Sequence, residues 1–219
     1  MSNDKNAGHG IAAQPNRTTT TTSHAVSRRT VLAGSAVLLP LVNVSCSSTP
    51  APPPDVLSSE LNAILDAFAD RIIPADANGP GAAASGVGRY INRSLAEWNQ
   101  GDVALISSGL QALEAAAQTR HMQAFTALGA EQQDDLLVAM EAGQLAGFDN
   151  APAVFNRLHR LVLEGMFSDP YYGGNANFAG WDLIGYPGAV LGSTAEMQEM
   201  GGRLPPLHTS AYGEQHDGH

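Results

Sequence analysis

Apolar side chains recur every three or four residues from Leu57 to Met166, and no stretch of the chain combines sustained alternation with β-branched residues and turn signals. That periodicity commits the body to helices packed on one another, so the expected class is all-α: a small irregular bundle of about five helices. Leu57, Leu61, Ile64, Leu65, Phe68 and Ile72 share one face of the first helix. Pro74 disfavours helical geometry at Ile73 and removes a backbone donor, so this helix should end near Ile72, with a loop through Asp76 to Gly81. A second face holds Val87, Tyr90, Ile91, Leu95 and Trp98. A third holds Val103, Ile106, Leu110, Leu113 and Ala117, with Asp102 placed to cap its start. The fourth carries Leu136, Leu137 and Met140 behind the acidic run Glu131 to Asp135, as a helix dipole favours, and closes at Gly143. The fifth turns Phe155, Leu158, Leu161, Val162 and Met166 inward, with Pro152 acceptable in its first turn. These stripes read as core.

After Met166 the pattern breaks. Ser168 to Gly188 holds five glycines and five of the chain's thirteen aromatic residues. No regular element is expected there, yet large ring surfaces need burying. A loop of this length within a compact domain is usually either functional or disordered, and its aromatic residues argue against disorder. Tyr171, Tyr172, Asn175, Phe178, Trp181, Tyr186 and Pro187 are the candidate partner-interface residues, because Tyr and Trp supply anchor area with a polar tip; some of these rings should also pack on their own helices. From Ala189 to His219 a frayed, flexible acidic tail is expected, and its scattered His208, His216 and His219 fit no common metal-ligand spacing.

The first 46 residues read as an address. Residues 1 to 26 are polar and include the run Thr18 to Thr22; then Arg28 and Arg29 stand directly before the moderately apolar stretch Val31 to Val44. A basic pair, a short apolar region and small residues make a signal peptide. That stretch is shorter than the roughly 20 residues a membrane span needs. The adjacent arginines resemble a twin-arginine signal, the address for export of already folded proteins, with Val31 where phenylalanine is commoner. Cys46 either ends a lipoprotein cleavage box, with Asn43 in place of the usual leucine, or is an ordinary residue of a cleaved signal. Residues 47 to 56 form a Pro/Ser linker.

Charge and cysteine narrow the functions. The chain carries −10 overall, and after Cys46 seven basic side chains face twenty acidic ones, a net −13 that argues against a nucleic-acid partner. A single cysteine excludes an intrachain disulfide, a four-thiolate iron–sulfur cluster and a Cys-x-x-Cys-His haem site. Gly79-Pro-Gly81 lacks the spacing and preceding strand of a dinucleotide fingerprint. His121 and His159 have no partners at triad or metal spacing, and no Glu-x-x-His pair occurs. Asp134 and Asp135 point apart on a helix and read as solvated charges. No catalytic, cofactor-binding or metal-ligating residue is assigned.

Four stretches carry a resemblance: Phe68 to Asp76, Met140 to Gly143, Glu164 to Asn175, and Gly180 to Gly188. Together they resemble the gluconate 2-dehydrogenase subunit 3 family, over a domain spanning residues 57 to 188. The resemblance implies a non-catalytic small subunit that binds a FAD-dependent flavoprotein of the glucose-methanol-choline type, often with a multihaem cytochrome c. It also implies that the small subunit brings the twin-arginine translocase its signal, carrying the folded flavoprotein to the periplasm or the outer face of the cytoplasmic membrane. The flavoprotein, not this chain, would hold FAD and oxidise gluconate, another sugar or a polyol. A free-standing exported or lipid-anchored helical binding protein is the second reading; an enzyme in its own right has the least support.

Overall fold

The structure is a computed structural model, which describes residues 55–190, 192–198 and 204–213. Arg28 and Arg29 of the expected signal, Cys46, the expected linker up to Pro54, and His216 and His219 lie outside the described residues. Six α-helices are present among them and no strand: α1 (Ser59–Ile72), α2 (Val87–Glu97), α3 (Val103–His121), α4 (Ala130–Glu141), α5 (Ala151–Phe167) and α6 (Ala179–Ile184).

Local chemistry explains several helix ends. The Ser58 hydroxyl accepts from Leu61 N at 3.3 Å and starts α1, which stops at Ile72 ahead of Pro74. Pro152 lies in the first turn of α5. α4 gives way to Gly143, whose φ of 71° is a conformation glycine adopts without cost. The expected cap at α3 is not made. Asp102 sits in a short 3-10 turn, Gln100–Asp102, and its carboxylate accepts from Arg157 Nε of α5 at 2.6 Å. A charged, bidentate-capable partner offers the carboxylate a stronger bond than a backbone amide does.

α5 is the central element and packs against each of α1 to α4. Leu158 and Leu161 of α5 are fully buried with Leu65 and Phe68 of α1, Ile91 and Leu95 of α2, Leu110 and Leu113 of α3, and Leu136 and Met140 of α4. Phe68 and Phe155 meet edge to face at 5.9 Å. α3 comes so close to α5 that a Cβ on Gly109 would lie 2.2 Å from a Val154 methyl. Phe125, in a 3-10 turn between α3 and α4, is a core residue outside the helical stripes; its N–H donates to Glu114 at 2.8 Å and its carbonyl accepts from Gln133 at 2.9 Å.

Four further expectations are corrected. Trp98 is not a core residue: it follows the last turn of α2 and is 45% exposed. Asp134 is not merely solvated, because Arg71 of α1 grips both its oxygens at 2.6 and 2.7 Å and ties α1 to α4. The segment after α5 forms a regular element, α6, despite its glycines. The tail is not loose throughout, since residues 204–213 return to the loop after α5 through a bridge between Gly188 and Thr209.

Tyr90 of α2 donates its hydroxyl proton to Glu164 of α5 at 3.3 Å. Burial, then the nearby Glu164 charge, pushes its ionisation up to about 12 from an ordinary 10. The folded state thus holds this proton more tightly than the unfolded chain. The stability tied to it is fully present below pH ~10 and is lost as the pH rises through ~12. Denaturant midpoints measured between pH 8 and 11 (roughly the window below and across the unfolded value) should fall less steeply for Tyr90→Phe than for the natural chain.

Candidate docking surface

The segment from Ser168 to Gly188 is mounted on the C-terminal end of α5, backbone against backbone. A Cβ on Gly174 would lie 2.1 Å from Gly165 O, and one on Gly180 would lie 1.8 Å from Met166 O. Glycine is required at both positions because only bare backbone fits. Asn175, fully buried, holds the two sides together: its Nδ2 donates to Ser168 O at 2.9 Å and its Oδ1 accepts from Gly180 N at 2.7 Å. Its φ of 49° is one that asparagine tolerates better than most side chains. Ala176 N reaches Ser85 O at 2.9 Å, fixing the loop to the segment before α2.

Two arginines of α2 brace the other side. Arg89 Nε donates to Gly173 O at 3.0 Å, and Arg93 Nη1 donates to Tyr171 O at 2.7 Å while its guanidinium lies 5.4 Å from the Tyr171 ring centre. Asp169 caps the 3-10 turn Pro170–Tyr172 by accepting from Tyr171 N at 3.0 Å. Beyond it the chain enters α6, whose Trp181 is buried, with Nε1 donating to Phe167 O at 3.0 Å and its ring edge-on to Tyr186 at 4.8 Å.

The candidate residues therefore divide. Asn175 and Trp181 are spent internally, as mounts of the loop. Tyr171 and Tyr186 present large areas to solvent, 48% and 43% exposed, and Tyr172, Phe178 and Pro187 are half-buried between the two groups. Ile184 of α6, 57% exposed, lines the same groove as Tyr186, and its neighbour Leu183 is exposed too; neither was among the expected residues. Nor were Trp98 and Tyr212. Edge-to-face and stacked contacts run from Trp98 to Tyr172 (5.9 Å), Tyr172 to Tyr171 (5.4 Å) and Tyr171 to Tyr212 (4.5 Å), a continuous aromatic row. An open groove of about 370 Å³ lies beside it, with Phe167 and Trp181 lining it alongside Ile184, Tyr186 and Tyr212.

Among the described residues no cluster of three or more His, Cys, Asp or Glu side chains could hold a metal ion. His159 stacks on Phe155 at 6.0 Å, and His121 lies 3.3 Å from Gln132. What the surface offers is anchored apolar and aromatic area, the composition of a protein–protein contact.

Residues 60–188 match the family described as Gluconate 2-dehydrogenase subunit 3. The chain belongs to that family. The match ends at Gly188, so it takes in the whole loop and α6 and stops short of residues 204–213. No curated protein and no solved structure matches the chain. The family is named for one subunit of a dehydrogenase built from several, and its shared region coincides here with the bundle plus the aromatic loop.

The backbone seating gives a direct test. Gly180→Ala forces a methyl group against Met166 O and should destabilise the chain by about 1–3 kcal/mol, read from urea unfolding followed by circular dichroism. A change below ~0.5 kcal/mol, the range of ordinary surface substitutions, would mean the loop is not seated this way.

Proposed function

We propose that this subunit 3 protein is the non-catalytic small subunit of a periplasmic FAD-dependent dehydrogenase complex, and that the surface formed by the loop and α6 docks the flavoprotein. The observation that carries this reading is an exposed aromatic and apolar surface (Tyr171, Ile184 and Tyr186), seated on the end of α5 and lying wholly within the region matched to the family. Exposed apolar patches of this kind mark interaction sites, and aromatic anchors at their centre dominate binding energy.

In this assembly the flavoprotein, of the glucose-methanol-choline type, binds FAD and takes a hydride from a carbon of gluconate, another sugar or a polyol. The electrons pass to an acceptor other than oxygen, with a multihaem cytochrome c as a further partner. The present chain supplies the address: Arg28 and Arg29 engage the twin-arginine translocase, which exports the pair already folded. Cys46 sets how the complex is held at the outer face of the cytoplasmic membrane, by a lipid if it is acylated and through its partners if the signal is simply cleaved. Lys5 is the chain's only lysine. Cleavage at or before Cys46 therefore leaves the N-terminus as the sole primary amine, and amine-reactive labelling with intact mass separates an acylated from a free end.

Isolating the tagged chain from its native host's membrane and periplasmic fractions should yield a flavin spectrum and a flavoprotein partner. A colourless single chain would instead support a free-standing binding protein. Replacing Arg28 and Arg29 by lysine should strand the dehydrogenase in the cytoplasm; activity that still reaches the periplasm rules out the escort role. Tyr171→Ala with Tyr186→Ala should weaken the complex by more than about 2 kcal/mol, roughly 30-fold, with the helical spectrum unchanged. Unaltered affinity would place the contact elsewhere.

A further inference from the structure

Residues 204–213 lie beyond the family match and come back across the loop as a strap. Leu207 N and His208 N both donate to Pro187 O, at 2.7 and 3.2 Å, and Ala189 N donates to Thr209 O at 2.7 Å. Ser210 Oγ and Ala211 N donate to the Asp169 carboxylate at 2.7 and 2.9 Å. Two rings of the strap then occupy two ring sites on the loop. The His208 imidazole lies parallel to Phe178 at 4.9 Å, with Nε2 2.7 Å from Asp182 Oδ1. The Tyr212 ring stacks on Tyr171 at 4.5 Å, and its hydroxyl meets that of Tyr172 at 2.8 Å.

Each site therefore takes a flat ring on an aromatic face and satisfies the ring's polar tip, which is how a ligand is recognised rather than how a core is filled. The strap places no large side chain in the core; Ser210 is its one buried residue. An element held outside the core by ring stacking, half-buried Leu204 and Leu207 and a few exposed or part-buried hydrogen bonds opens at lower free energy than the bundle unfolds. Beneath it Phe178 is held at φ 60°, a left-handed conformation unusual for a bulky side chain and of the kind that accumulates at binding and switch sites.

We propose that residues 204–213 act as an internal pseudo-ligand. The Tyr171/Tyr172 and Phe178/Asp182 sites recognise an extended segment of the dehydrogenase large subunit that presents an aromatic residue and a histidine or other cationic group, and the strap fills them until that segment displaces it. This inference rests on the docking role proposed above. The cationic requirement follows from charge: Asp182 and Asp169 face the strap, on a body that carries −13 beyond Cys46. Self-occupation lowers the apparent affinity by the fraction of molecules that are open, so a strap closed nine-tenths of the time weakens binding about tenfold.

The test uses the full chain with His208→Ala and Tyr212→Ala together. The amides of Ala189, Leu207 and Ala211 should exchange with deuterium faster, the melting of the bundle should be unchanged, and the large subunit should bind about tenfold more tightly. A synthetic peptide of residues 204–213 added in excess should restore the weaker affinity. A fall in affinity would show the strap to be part of the bound interface, and faster exchange with unchanged affinity would show that the ring sites are not where the partner binds; either overturns the inference. Unchanged exchange overturns it too, since the rings would not be holding the strap. If Tyr171→Ala with Tyr186→Ala leaves binding intact, it is the docking role itself that fails, while the exchange result stands independently.

Discussion

The loop after α5 depends on one buried side chain. Asn175 joins the carbonyl that ends α5 to the amide that begins α6, and it does so without a Cβ on Gly174 or Gly180 to hold the backbones apart. Buried amide groups left unpaired cost about 1–3 kcal/mol each, so a residue that satisfies two of them fixes a conformation that its neighbours could not select. With that joint made, Trp181 reaches the carbonyl of Phe167, and the outer rings Tyr171 and Tyr186 are aimed outward on a support that does not yield. A docking surface needs such a support, because anchor rings that are already ordered lose less entropy on binding.

The scarce positive charge of the body serves the same architecture. Arg71 ties α1 to α4, Arg157 ties α5 to the turn before α3, and Arg89 and Arg93 tie α2 to the loop. Four of the seven arginines after Cys46 are thus committed as braces between elements. Exposed ion pairs contribute little to stability, typically below 1 kcal/mol. Their value here is positional: two of the four clamp carbonyls that no helix satisfies. Most acidic groups are left to the surface, and a partner meeting this face gains by presenting positive or neutral groups.

Five helices were legible because their apolar spacing is periodic and their ends carry local signals such as Pro74, Pro152 and Gly143. The all-α class follows from the same pattern. What was not legible depends on contacts distant in sequence. Asp102 and Asp134 look like a cap and a solvated charge until Arg157 and Arg71 arrive from 55 and 63 residues away. Trp98 fits the apolar stripe of α2 by position but falls on the residue that ends the helix, where it turns out toward Tyr172. α6 has only six residues, too few for periodicity to register, and its boundaries are set by left-handed Phe178 and Gly185. The interface candidates were found by composition alone, which could not separate the rings that hold the loop from those that face outward; tertiary burial makes that division.

A subunit with an apolar face has to remain soluble before a partner covers that face. Leu183, Ile184, Tyr171 and Tyr186 together would invite association between copies if nothing opposed it. Two features oppose it. The first is the net −13 of the body, which keeps like molecules apart at long range and weakens only as salt screens it. The second is the strap, which engages the ring faces of Tyr171 and Phe178 without adding an apolar side chain to the core. A cover whose leucines entered the core would protect the face as well but would not leave, whereas one held outside the core by stacked polar rings, half-buried Leu204 and Leu207 and a few hydrogen bonds releases at lower cost. Residues 204–213 combine two half-buried leucines, Leu204 and Leu207, with two prolines, a histidine, a threonine, a serine and a tyrosine, and none of them enters the hydrophobic core, so the cover can leave without unpacking the bundle.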